Sequence, residues 1–121
     1  MWLSGSMIWK ACSRFMQLIS TVIQIQSTSI AKKFTSYFLT FDSGSKLEMM
    51  HKEDMNKQTR EEQMGWAHIA ISLGSRDAVD QMTARLKSDG YPVISGPRLT
   101  GDGYDEGVVE DPEGNLVELT V

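Results

Sequence analysis

The most constraining feature of the chain is a switch of hydrophobic period at Gly74-Ser75. Before it, Ala67 to Leu73 alternates. Ala67, Ile69, Ile71 and Leu73 share one face, and His68, Ala70 and Ser72 the other, as in a half-buried strand. After it, Val79, Met82 and Leu86 recur at helical spacing with charges between them. Ser75 stands where an N-cap belongs, Asp77 falls in the first turn, and Gly90 sits at the place of a left-handed C-terminal cap. Tyr91 to Ile94 then reads as a short strand ended by Ser95-Gly96-Pro97, and Gly101-Asp102-Gly103 as a loop. Gly107 to Glu110 and Leu116 to Val121 form a hairpin around Asp111-Pro112-Glu113-Gly114-Asn115. From Gly65 to Val121 the order is therefore strand, helix, strand, strand, strand, an α+β pattern.

A shorter version precedes it. Ser36 to Phe41 is rich in aromatic and branched residues and reads as a strand. Asp42-Ser43-Gly44-Ser45 is a turn, in which Asp caps its own backbone and Gly permits positive φ, and Leu47 to Met50 returns. The two hairpins form a weak internal repeat, each a strand, an Asp/Gly turn and a strand carrying one Glu. His51 to Gln63, polar and highly charged, reads as a solvated linker. Residues 1–33 read poorly. Phe15, Leu18, Ile19, Val22, Ile23 and Ile25 suit a helix stripe or a strand, and Ser, Thr and Gln dilute both.

A length of 121 residues suits one domain, and 40% apolar with 23% charged residues suits a soluble core. The net charge of −4 is the wrong sign for nucleic acid or an anionic membrane. Cys12 has no second cysteine to pair with. No apolar run is long enough to span a membrane. Arg14 and the polar residues from Gln17 to Gln26 break up any signal peptide, so a cytoplasmic location is expected.

Three ionisable residues stand out by face. His68 lies opposite the Ile69/Ile71 face, and Glu118 opposite the Val117/Leu119/Val121 face. Glu48 holds the matching place in the earlier hairpin. A carboxylate inside a sheet needs a partner. Two carboxylates and an imidazole that converge can offer nitrogen and oxygen ligands to a metal. The plainer alternatives are a hydrogen-bonded His and a solvent-facing Glu.

Gly65-Trp66-Ala67-His68-Ile69-Ala70-Ile71, the stretch from Ser95-Gly96-Pro97-Arg98 to Gly101-Asp102-Gly103-Tyr104, and Asp111-Pro112-Glu113-Gly114-Asn115-Leu116-Val117-Glu118 resemble the second module of the vicinal oxygen chelate superfamily, which includes glyoxalase I, bleomycin-resistance proteins and dioxygenases. Phe34 to Met50 resembles the end of the first module. The resemblance implies paired βαβββ modules cupped around a site, with the first module incomplete at its N-terminus. It divides the chain into an atypical segment 1–33 and a glyoxalase-like domain 34–121. Within the domain, 34–50 closes module one, 51–64 links and 65–121 is module two.

By the same resemblance the metal ligands are Glu48, His68 and Glu118. The fourth, on the first strand of module one, has no counterpart in this sequence. The implied activity is that of a metal-dependent lyase or isomerase like glyoxalase I, using Zn, Ni, Fe or Mn and acting on vicinal oxygens through an enediolate. Glu118 is then both ligand and catalytic base. Arg98 and Tyr104 are the substrate contacts, with simple surface exposure as the alternative for both. Trp66 reads as core or rim. A homodimer acting on a small molecule is implied, with no nucleic-acid or membrane partner. A different class stays open: a non-catalytic, antibiotic-binding protein of the bleomycin-resistance kind. A dioxygenase is a third, though such iron sites favour two His and one carboxylate.

The family's first strand and helix, the latter opening Asp-Leu-Glu and closing Phe-Tyr-x-x-Tyr-Phe, are missing from residues 1–33. The genetic code offers a reason. With codons shifted one base upstream, Met7 into Ile8 forces Asp, Ile8 into Trp9 gives Leu or Met, and Trp9 into Lys10 forces Glu. Further on, Arg14 into Phe15 allows Phe, Phe15 into Met16 gives Tyr or His, Leu18 into Ile19 allows Tyr, and Ile19 into Ser20 allows Phe. A shifted codon over Met1 can be His, where the missing ligand belongs. The hypothesis is a segment read out of frame, with the frames rejoining near Lys32-Lys33; the alternative is a divergent N-terminus. As written, the segment is expected to be poorly packed and the enzyme inactive or impaired.

Overall fold

A computed structural model describes the backbone of residues 5–20, 22–31, 34–52, 64–99, 101, 103 and 105–121. Side chains are described for 10–20, 35–52 and the same residues from 64 onward. The chain divides into two compact units, Met1–Gln58 and Thr59–Val121.

The first unit runs α1 (Gly5–Ile19), β1 (Val22–Ala31), β2 (Phe34–Phe41) and β3 (Lys46–Lys52), the strands forming an antiparallel sheet in the order β1-β2-β3. The expectation of poor packing before Phe34 is overturned for the end of α1. Cys12, Phe15, Met16 and Ile19, spaced i, i+3, i+4 and i+7, are all buried. β3 alternates as a strand beneath a helix should: Leu47, Met49 and His51 are half-buried, while Lys46, Glu48, Met50 and Lys52 are exposed. The 42–45 turn closes with Gly44 at φ 87° and its N–H donating to the Phe41 carbonyl. His51 and Lys52, expected to open the linker, extend β3 instead, because they pair with Thr35 and Phe34. Residues 53–63 of that linker lie outside the described residues.

The second unit runs β4 (Ile69–Ser72), α2 (Arg76–Ser88), β5 (Val93–Leu99), β6 (Asp105–Glu110) and β7 (Leu116–Thr120), with strand order β4-β7-β6-β5. β4 runs parallel to β7 and the other pairs are antiparallel. The crossover from β4 goes through α2, as a parallel pair requires. Together the units give an α+β chain of one βαβββ module preceded by αβββ: the first module is partial as expected, but the helix expected to be missing from residues 1–33 is present as α1, followed by the strand β1.

Local chemistry explains the second unit's elements. Ser75 caps α2 by accepting from the Ala78 N–H at 3.2 Å. The helix stops in a Schellman arrangement: Gly90, at φ 92°, donates to the Lys87 carbonyl, and Tyr91 to that of Leu86. Val79, Thr83 and Leu86 are the buried face of α2. They meet Asp105, Gly107 and Val109 of β6 and Val117 and Leu119 of β7, all buried. The β6-β7 turn is wound around Asp111, whose Oδ1 accepts from the Glu113 and Asn115 N–H groups at 2.9 and 2.8 Å.

Two sequence expectations change here. Ser95-Gly96-Pro97 does not end β5. The strand continues to Leu99, with register irregularities at Val93/Ser95 and Ser95/Arg98 that absorb the Gly-Pro step. The apolar face of β4 is also shallower than its alternation suggests. Ile69 is 40% exposed, because α2 lies chiefly over β5, β6 and β7.

Candidate metal centre

The sheet of the second unit has one face under α2 and one face away from it, and the register assigns residues to each. Directly paired residues on neighbouring strands share a face. Glu118 pairs with Ala70 on one side and Val108 on the other, while its neighbours Val117 and Leu119 are buried beneath the helix. Glu118 thus rises from the face away from α2, between two small apolar neighbours. His68 precedes β4 by one residue and two positions before Ala70, so the alternation carries it to that same face.

The two meet. His68 Nε2 stands 3.0 Å from Glu118 Oε2, with the imidazole side chain 41% exposed and the carboxylate 18%. The parallel β4-β7 pairing is what makes this possible, since it lays the start of one strand beside the middle of the other. At 3.0 Å the pair is a direct hydrogen bond, charge-assisted when the ring is protonated. An imidazole nitrogen and a carboxylate oxygen are the donor set of borderline metals. The pair thus offers two donors of the kind a divalent ion takes, one short of the three protein ligands of a catalytic zinc site.

Of the three residues expected to hold metal, the structure brings together His68 and Glu118. Glu48 belongs to the other unit, where it pairs with Phe38 in the β2-β3 register and is exposed on the face opposite Leu47 and Met49. Among the described residues, no group of three or more His, Cys, Asp or Glu side chains gathers at one point. Arg98 is exposed on β5, not in the expected loop, with Glu106 as its register partner. Glu106 lies in turn opposite Thr120, on the Glu118 face. Tyr104 lies outside the described residues. Trp66 is fully exposed, so of its reading as core or rim the core is corrected: none of the described residues covers the segment before β4. Val108 faces Glu118 across the antiparallel β6-β7 hairpin that the turn at 111–115 already implies, whereas Ala70 comes beside it only through the parallel β4-β7 register, which local sequence does not reveal.

The family model for the Glyoxalase/Bleomycin resistance protein/Dioxygenase superfamily matches residues 21–119. The chain belongs to that superfamily. The match begins within the segment that the motifs left unassigned and spans both units of this glyoxalase-superfamily chain. A comparison with curated proteins finds no match. Solved structures share the fold at low identity. A glyoxalase family protein from Bacillus cereus aligns with a TM-score of 0.72 at 13% identity, over 92% of this chain and 84% of that one. A glyoxalase I mutant from Zea mays aligns at 0.65 and 19%, over 97% of this chain and 39% of that one. A fosfomycin resistance protein from Listeria monocytogenes, solved with Mn(II) and sulfate, aligns at 0.63 and 18%, over 93% and 81%. Among the described residues, no helix is long and apolar enough to cross a membrane.

Proposed function

We propose that this superfamily member is a metal-dependent lyase or isomerase of the glyoxalase I kind, acting on a small substrate with oxygens on neighbouring carbons. The observation that supports this most directly is the 3.0 Å contact of His68 and Glu118 on the face away from α2. In this reading His68 and Glu118 would hold a divalent ion, with Glu48 the further carboxylate that the family resemblance implies. Such an ion would supply positive charge to polarise the two substrate oxygens and acidify the intervening C–H. Glu118 takes that proton on its carboxylate and returns it to the adjacent carbon, so no net proton is gained or lost. Arg98 and Tyr104 orient the polar end of the substrate, and the protein works as a homodimer in the cytoplasm.

One observation favours a second reading. The described residues gather two donors, not three, which suits a binding protein that sequesters an antibiotic without turning it over. Metal analysis of the purified chain with an assay of hemithioacetal isomerisation separates the two. The enzyme reading expects about one metal per active site, lost in His68→Ala together with turnover. A metal-free protein that binds a planar drug and leaves hemithioacetals unchanged would refute it.

A further inference from the structure

The first unit holds a groove of about 200 Å³ between α1 and β2, lined by Lys10, Ser13, Arg14, Gln17 and Tyr37. Four of these come from one stripe of α1, at spacings i, i+3, i+4 and i+7, so their side chains converge along one edge of the helix. The fifth comes from β2.

The chemistry of the lining is one-sided. Lys10 and Arg14 are like charges four residues apart on a helix whose fifteen residues include no acid. Like charges at this spacing repel, and an anion between them is attracted to both. Beside the two cations the lining is uncharged and polar: the Ser13 hydroxyl, the Gln17 amide and the Tyr37 phenol. The polar wall is partly pre-set. Ser13 is only 5% exposed, and Gln17 Nε2 reaches back to the Ser13 carbonyl at 3.2 Å and to its hydroxyl at 3.4 Å. Arg14 adds a planar fork matched to an oxyanion.

Size narrows the ligand. Clefts that take drug-sized molecules run to about 300–1,000 Å³, so this groove suits one oxyanion group and little more. We infer that it is a recognition site for a phosphate or carboxylate group, separate from the centre at His68 and Glu118.

Inorganic phosphate, sulfate and acetate, titrated at constant ionic strength into the full chain and followed by amide chemical shifts, test this. The expected result is saturable, millimolar binding of at least one oxyanion, with shifts centred on residues 10–17 and the Tyr37 amide. Arg14→Gln and Lys10→Gln each weaken it about tenfold. Both side chains reach the surface, so helix content by circular dichroism is expected to stay unchanged. Phosphate ahead of acetate assigns a phosphate ester, and the reverse order a carboxylate. Overturning results are linear, non-saturating shifts with all three anions, or saturable binding that both variants keep.

Discussion

A methyl group at position 107 tests how closely α2 is held to the sheet. Gly107 lies on β6 beneath the helix, and a Cβ there would stand 2.9 Å from Thr83 Oγ1 and 3.6 Å from Thr83 Cγ2. Ordinary contact begins near 3.4 Å, so alanine requires the helix to retreat by a few tenths of an ångström or the hydroxyl to turn away. Turning away breaks the 2.7 Å bond that Thr83 Oγ1 donates to the Val79 carbonyl, worth about 1 kcal/mol in a site only 3% exposed. Overfilling of this kind costs about 1–3 kcal/mol. The lost freedom of glycine in the unfolded chain returns about 0.4–1 kcal/mol. We expect Gly107→Ala to destabilise by about 1–2 kcal/mol in urea denaturation, as a shift in midpoint at constant slope. In a Thr83→Ala background the offending Oγ1 is gone, and the same change is expected to be neutral or stabilising. The coupling between the two sites should then exceed about 1 kcal/mol. If His68 and Glu118 hold a metal on the opposite face, its affinity is expected to change less than threefold. Additive effects, with the double variant losing the sum of the singles, would refute the close approach of helix and sheet.

Asp111→Ala removes the acceptor for the Glu113 and Asn115 N–H groups and for Asn115 Nδ2; a loss of about 1–2 kcal/mol is expected by the same denaturation, with Asp111→Asn recovering part of it. The frame hypothesis is decided by genomic DNA: an open shifted frame upstream, with C before the Met1 codon, is expected, and a stop in that frame ends it. That result also bears on the anion groove, since a coding shifted frame replaces Lys10, Arg14 and Gln17.

The second unit was legible where a local rule and the fold agree. Ser75 and Gly90 bracket α2 because an N-cap acceptor and a left-handed residue are chemical needs of any helix end, whatever packs on it. Asp111 likewise organises its turn through bonds within four residues. Legibility fails where distant chain decides. Gly96-Pro97 carries every local mark of a strand's end, yet β6 runs alongside so closely that a Cβ at Gly96 would collide with the Glu106 carbonyl oxygen. Gly96 sits at φ 76° to allow the approach. α1 was obscured by its polar residues, although Cys12, Phe15, Met16 and Ile19 carry the helical spacing in plain view; reading Phe15 with Leu18 and Val22 mixed the buried stripe with residues off it. At the site, faces were legible and neighbours were not. Alternation alone places His68 and Glu118 on the polar sides of their strands, but their 3.0 Å meeting depends on β4 running parallel to β7.

That dependence sets Glu48 apart from Glu118, although the hairpins that carry them are alike. In the second unit β7 has β4 along its edge, and β4 delivers an imidazole to Glu118. In the first unit β3 is an edge strand of the described sheet, and Glu48 is exposed. A carboxylate that is already exposed contributes little to stability, so Glu48→Gln should leave the denaturation midpoint within about 0.5 kcal/mol. Its effect on metal is then free of folding effects. If Glu48 completes the ligand set, the amide variant binds the ion at least about tenfold more weakly, a loss of about 1.4 kcal/mol, and Glu118→Gln behaves alike. A calorimetric titration in which Glu48→Gln matches the parent while Glu118→Gln does not would confine the centre to His68 and Glu118, leaving the remaining coordination positions to water and substrate.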